Sequence, residues 1–287
     1  MPVLNIADNL YLGSSIADRV YLGTNLVWPG PLRALIRTLF GNGEQGAIYI
    51  PKPIVLGAQA LFQDSAGTVP VTADGDPVGK MVDQSGNGNH ATQSVSGKRL
   101  IYRTDGTLHW FENSGTGQFF ETGAIDFTGT DKMTVVAGLR KISDASSGVV
   151  VELSAASEAN PGSFIMLAPG NGGVNKLDYR STGTGGNGEA DITVGFEAPV
   201  SVVVTGISEI SENISILRAN GNQVASDATV QGGGNYGNYP LYIGIRKDTS
   251  IGFAGNTCSL VIRGAQTNST DLDSLEQYTA ALTGVTL

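Results

Sequence analysis

Histidine and cysteine are nearly missing from this chain: two of the first and one of the second in 287 residues. A single cysteine excludes an intrachain disulfide. Its setting, Thr257-Cys258-Ser259-Leu260-Val261-Ile262, reads as a buried strand, the usual place for a free thiol. His90 and His109 stand 19 positions apart with no cysteine or third histidine beside either, which argues against a zinc centre. Two histidines, and no Gly-x-Ser-x-Gly elbow, leave little scope for Ser-His-Asp chemistry. Charge is scarce as well, at 15% of residues with a formal net charge of -9. No Lys/Arg stripe is available to replace phosphate counterions, so nucleic acid is excluded as a partner. No run of about 20 apolar residues exists for membrane insertion. Residues 1–20 also lack the basic start and continuous apolar centre of a secretory signal, so a role outside the cell implies release by lysis or within a larger particle.

Glycine is what the chain has in excess: 40 of 287 residues, about twice ordinary usage. There is no collagen-like period; the glycines scatter between apolar runs and mark turns. From residue 47 to about 265, short apolar runs alternate with Gly/Asn/Ser/Asp clusters, which predicts an antiparallel all-β sandwich. Strands are legible at 133–139, 148–153, 163–167, 200–205, 214–218, 241–244 and 259–263, and Asn220-Gly221-Asn222 reads as a hairpin turn. Strands at this spacing favour a jelly roll. Before them, Leu32, Leu35, Ile36, Leu39 and Phe40 recur at helical spacing after Pro31, which suits a first helical turn, and Gly41 and Gly43 end the helix. Gly41-Asn42-Gly43-Glu44-Gln45-Gly46 matches the dinucleotide fingerprint in spacing but follows a helix rather than a strand, so nucleotide binding is not expected. At the other end a helix is expected with Thr270 as its cap and Asp273 three residues on, Leu272, Leu275 and Leu282 on one face with Tyr278 beside it, and Gly284 as its stop.

The first thirty residues carry a repeat of their own. Ile6-Ala7-Asp8-Asn9-Leu10-Tyr11-Leu12-Gly13 and Ile16-Ala17-Asp18-Arg19-Val20-Tyr21-Leu22-Gly23 lie ten residues apart with six of eight positions identical, and Trp28-Pro29-Gly30-Pro31 closes the pair. Each copy reads as a short strand ending in a turn, and a lone two-stranded hairpin is marginal in water. Residues 1–30 are therefore expected to be an attachment segment, with Tyr11, Leu12, Tyr21, Leu22 and Trp28 as its contact residues. Residues 31–46 form a bridging helix and glycine-rich linker, and 47–287 the sandwich with its C-terminal helix. Short strands and a ten-residue helix that cannot bury themselves alone point to a symmetric homo-oligomer, with a trimer favoured.

Several runs resemble a known family. Leu39-Phe40-Gly41-Asn42-Gly43-Glu44-Gln45-Gly46-Ala47-Ile48-Tyr49, then Leu61-Phe62-Gln63-Asp64-Ser65-Ala66-Gly67-Thr68-Val69-Pro70-Val71-Thr72 and Pro77-Val78-Gly79, look like the opening of bacteriophage and prophage structural proteins. Val82-Asp83-Gln84-Ser85-Gly86-Asn87-Gly88-Asn89-His90-Ala91-Thr92 is similar to a run found early in laminin-G-like, concanavalin-A-like sandwiches, and the close at Thr283-Gly284-Val285-Thr286-Leu287 is similar to the end of such phage modules. In place of the family's acidic step after the first Tyr, this chain has Ile50-Pro51-Lys52-Pro53. The resemblance implies a concanavalin-A-like jelly-roll sandwich in a virion structural protein, on the exterior of tail or capsid and made in the host cytoplasm. It implies no catalytic residue.

Candidate binding residues follow from chemistry. The loop 83–90 places two glycines and two asparagines where positive φ is cheap. Its first reading is a turn that hydrogen-bonds itself through Asp83 and Asn89. Its second is a carbohydrate or Ca²⁺ loop using the oxygens of Asp83, Asn87 and Asn89, the only cofactor the sequence suggests. A glycanase would need two carboxylates flanking the scissile bond. The one Glu-x-Asp, Glu189-Ala190-Asp191, has Val194 where a related glucanase would carry its acid/base, so the chain is expected not to be an enzyme. Aromatic stacking on a sugar ring is the remaining route to recognition. Alternation sends Trp110 and Phe111 to opposite faces, one of them the core, while Tyr236 and Tyr239 flank Gly232-Gly233-Gly234-Asn235 and Gly237-Asn238. Tyr236, Tyr239 and Trp110 are the expected contacts for a host-surface glycan. The expected function is a tail fibre, spike or baseplate-associated protein, held to other virion proteins by residues 1–30 and displaying a lectin-like sandwich. Capsid decoration or a head fibre is the alternative, and a glycan-cleaving enzyme the least favoured.

Overall fold

A computed structural model describes residues 30–157, 160–170, 176–192 and 195–287, and before them the backbone of four short strands. Those four form two antiparallel pairs, Tyr11–Leu12 with Ser15–Ile16 and Val20–Leu22 with Asn25–Trp28. The side chains of Tyr11, Leu12, Tyr21, Leu22 and Trp28 lie outside the described residues.

The rest is a jelly-roll β-sandwich, all antiparallel in its strand pairing. In spatial order, the first sheet runs Asn187–Ile192, Leu177–Thr182, Ser163–Leu167, Val149–Leu153, Asn238–Ile243, Phe120–Asp126, Ala91–Thr92, Lys80–Met81 and Leu61–Phe62. The second runs Asn222–Asp227, Ile214–Ala219, Val200–Glu209, Lys132–Lys141, Ala254–Arg263, His109–Ser114, Leu100–Thr104 and Pro77–Val78, with Gly46–Tyr49 added to Ala254–Arg263. Between them Phe111, Phe120, Phe164, Tyr179, Leu241 and Leu260 are among the side chains of one continuous core. The edge strands 187–192 and 222–227 approach each other, and the Glu189 N–H donates to Asp227 Oδ2 at 2.8 Å, closing one side. Asn220 and Gly221 have φ of 47° and 78°, the doubly positive geometry of the expected Asn-Gly hairpin.

The outer face of the second sheet explains why its central strands lack polar alternation. Helix α1 (Pro31–Phe40) and helix α2 (Ser269–Thr283) lie against it, burying Leu32, Leu35, Leu39, Leu272 and Leu275 against Val136, Val203, Ile207 and Val261. With both faces covered, strand 132–141 reads as a continuous apolar run. Gly138 sits beneath α2, where a Cβ would meet Thr283 Oγ1 at 2.1 Å, so the helix can approach only because no side chain intervenes. Arg263 ties down α1, donating from Nε to the Leu39 carbonyl at 2.7 Å and pairing with Glu44 at 2.8 Å. The cap of α2 is Asn268, which accepts from the Asp271 N–H at 3.0 Å, and not the expected Thr270. Gly284, at φ 71°, ends it as expected. The segment 41–46 joins a helix to a strand, without the strand-then-helix order a dinucleotide loop needs. No helix among the described residues is long and apolar enough to cross a membrane.

Candidate ligand-contact face

Three aromatic residues were expected at the surface, and the fold treats each differently. Tyr236 is only 1% exposed, which overturns its expected place on a contact loop. Its hydroxyl shares a 2.6 Å hydrogen bond with Ser208 Oγ, which is in turn 2.7 Å from the Tyr179 hydroxyl, and its ring meets Phe164 edge-on at 6.3 Å. Burial pushes the Tyr236 phenol up to about 12. The surrounding glycines mislead: Gly232 and Gly234, at φ 83° and 98°, let the backbone turn inward and carry the ring into the core. Replacing Tyr236 by Ala would thus open a core cavity, at a cost of about 3–5 kcal/mol. Tyr239 is partly buried against the core, lying so closely over Gly237 that a Cβ there would meet its ring at 1.9 Å, and its hydroxyl donates to the Pro161 carbonyl at 3.1 Å.

Trp110 is the aromatic left facing outward. Its strand neighbour Phe111 is 2% exposed in the core, so alternation turns Trp110 to the other face, where it is partly exposed. Among the described residues it joins none of the hydrophobic clusters. The surface around it is the part of the second sheet that the helices leave open. Along strand 132–141, Val136 and Gly138 lie beneath α2, whereas the next outward residue, Arg140, is exposed. Cross-strand register then places Ser201, Arg140, Asn256, Glu112 and Ile101 in one row across five neighbouring strands. Residues directly opposite share a face, so the row presents a hydroxyl, a guanidinium, an amide and a carboxylate together. Trp110 lies one step from this row with Arg103 as its cross-strand partner. Arg103 Nε donates to Glu112 Oε2 at 2.5 Å, Nη1 lies 3.3 Å from Asp74 Oδ2, and these carboxylates, Glu112 first, raise the guanidinium pKa. Asp74 Oδ1 in turn accepts from the Thr104 N–H at 2.9 Å.

The loop 83–90 is a self-satisfied turn. Asp83, 6% exposed, accepts from the Ile48 and Ser85 N–H groups at Oδ1 and from Ser85 Oγ and the Asn89 N–H at Oδ2, all at 2.8–3.0 Å. Asn87 Nδ2 donates to the Glu44 and Gly46 carbonyls and Asn89 Nδ2 to the Gly46 carbonyl. Protein donors thus engage both carboxylate oxygens of Asp83. Among the described residues no group of three or more His, Cys, Asp or Glu side chains is arranged to hold a metal.

The remaining chemical candidates are likewise engaged. Glu189 pairs with Arg180 at 2.8 Å and Asp191 with Lys176 at 3.0 Å, and Val194 lies outside the described residues. His109 Nδ1 is 2.7 Å from the Tyr102 hydroxyl and lines a pocket of about 40 Å³ with Leu108, Leu282 and Cys258. Burial pushes the Cys258 thiol up to about 12, so it is protonated and unreactive.

No protein-family model matches this chain, and no curated protein sequence matches it. Its fold is similar to that of solved sandwich domains. The botulinum neurotoxin serotype D binding domain is 9% identical with a TM-score of 0.55, covering 87% of this chain and 53% of that one. Botulinum neurotoxin type C, described as depending on two ganglioside molecules to enter cells, is 8% identical with a TM-score of 0.54 over 83% of this chain and 52% of that one. Domain 4 of AbnA, an extracellular arabinanase of Geobacillus stearothermophilus solved with arabinotriose, is 11% identical with a TM-score of 0.52 over 68% of this chain and 92% of that one. The chain spans about half the length of the neurotoxin chains it matches. At such identities the likeness is one of fold.

Proposed function

We propose that this chain is a non-catalytic, lectin-like module that contacts glycan through the open half of the second sheet's outer face, with Trp110 as its stacking platform. The observation that carries this reading is Trp110 itself: a large aromatic outside every described cluster, beside Arg103 and Glu112 on strands rather than loops. An aromatic ring gives sugar C–H faces an apolar partner, and flanking polar groups meet the hydroxyls. The sandwich likeness to domains studied with gangliosides and arabinotriose supports a carbohydrate over other ligands. The resemblance of residues 39–92 and 270–287 to phage structural proteins, with the repeat in residues 1–30, supports a carrier role on a virion. In that role the chain is a tail fibre, spike or baseplate-associated protein, a homo-oligomer with a trimer preferred, whose residues 1–30 attach it to other virion proteins while the sandwich meets the host surface.

Trp110→Ala tests the reading. Surface substitutions shift stability by only about ±0.5 kcal/mol, so the variant should unfold at nearly the native denaturant midpoint while losing adsorption to host cells or to a glycan array. Adsorption retained in full by a folded Trp110→Ala protein refutes this contact surface. A chelator should leave adsorption unchanged, because Asp83 is already engaged by four protein donors.

A further inference from the structure

We infer that the open face takes an extended, uncharged oligosaccharide lying across the strands, rather than a single terminal sugar or an acidic one. This rests on the glycan reading above and specifies its substrate class. The first ground is shape. Ser201, Arg140, Asn256, Glu112 and Ile101 follow one another across five strands in register. Four interstrand steps of about 4.8 Å make a track on the order of 19 Å long, the length of several sugar rings. Every one of these residues is on a strand, so the track is an open sheet surface rather than a pit. The pocket that His109 lines, at about 40 Å³, is too small to enclose a ring. A ligand here must gather affinity from repeated shallow contacts, which only a chain of rings can supply.

The second ground is charge. The guanidinium of Arg103, the cross-strand partner of Trp110, already faces Glu112 and Asp74. An arriving carboxylate or sulfate would meet those two anions as well as the cation, inside a chain of net charge -9. Neutral hydroxyls fit the same groups without conflict, donating to Glu112 and Asp74 and accepting from Arg140 and Asn256. Discrimination against acidic sugars is then built in by like charge beside the platform.

The test uses the full chain and immobilised ladders of neutral gluco- and arabino-oligosaccharides, from one ring to about six, beside sialylated and sulfated oligosaccharides. Affinity for at least one neutral ladder should rise about tenfold or more between one ring and four and then level off, with the acidic probes weaker. Arg140→Ala and Ser201→Ala, at the end of the track away from Trp110, should weaken four-ring binding about three- to tenfold and leave two-ring binding unchanged, with thermal unfolding as the check on fold. Equal affinity for one ring and four, or tighter binding of the acidic probes, overturns the inference. If Trp110→Ala still abolishes that binding, the contact surface survives and only the extended neutral ligand fails. Absence of binding to every probe overturns both.

Discussion

Asp83 illustrates how one side chain can organise a loop without serving a ligand. Four donors converge on its carboxylate from three separate backbone positions and a serine hydroxyl, while its own N–H donates to His90 Nδ1 at 3.2 Å. A ring nitrogen that accepts from an amide cannot also hold a proton, and burial, with Lys80 as a lesser cause, lowers the His90 pKa. The unfolded imidazole, near 6.5, therefore binds a proton before the folded one does. The sign follows: stability from this group is complete above the unfolded value and is lost as pH falls below about 6.5 through the folded pKa. His109, also lowered by burial first, acts in the same direction. Urea midpoints measured from about pH 8 to pH 5 should decline for the native protein and decline less for His90→Gln, whose amide oxygen can accept the Asp83 N–H without titrating. An identical decline in the two proteins would remove His90 from the account. Carboxylates with lowered pKa values, such as Asp64 at about 2, belong to a more acidic window in which stability is lost as pH falls through their folded values.

At the scale of elements, the outer face of the second sheet is divided by α2, and a buried ion pair links that helix to the sheet. Glu276, 1% exposed, accepts from Arg218 Nε at 2.9 Å, from Arg218 Nη2 at 2.8 Å and from Thr205 Oγ1 at 2.7 Å. Removing one partner leaves a buried charge, so Arg218→Met should lower unfolding free energy by about 3–5 kcal/mol, and Arg218→Met with Glu276→Met should recover most of the loss. Chemical denaturation of the two variants checks this; equal losses would mean that the pair itself stabilises the docking. The helix register also marks a limit of sequence reading. Asn268 and Thr270 can each cap, and each has an aspartate three residues on, so local chemistry does not choose between them. Packing of Leu272 and Leu275 on the sheet sets the start at Ser269. Strand cores at 163–167 and 214–218 were legible because apolar runs ended at turn residues. The ten-residue lengths of 132–141, 200–209 and 254–263 were not, because their ends become buried only through cross-sheet pairing and the helices above. The site divides likewise: alternation alone turned Trp110 away from Phe111, whereas Arg140 and Asn256 reach its face through pairings between distant segments.

For the whole molecule, the question is where the sandwich begins. The division drawn from sequence assigns 31–46 to a bridge, yet α1 buries Leu32, Leu35, Leu39 and Phe40 in the cluster that covers Val136, Val203 and Val261, and Arg263 holds its last turn. Gly46–Tyr49 pairs with the central strand Ala254–Arg263, fixing the chain immediately after the helix. A chain starting at Gly30 should therefore keep the thermal transition of the full protein, whereas one starting at Ala47 uncovers the apolar outer face and should aggregate or lose its cooperative transition. If residues 1–30 are the attachment segment, the same Gly30 chain should be soluble and folded but absent from assembled particles, and light scattering should show whether the symmetric oligomer goes with it. Incorporation of the shortened chain at the native level would move attachment onto the sandwich. Loss of its folded transition would show that the N-terminal strands belong to the fold, since a two-stranded pair contributes little stability unless it is docked on something larger.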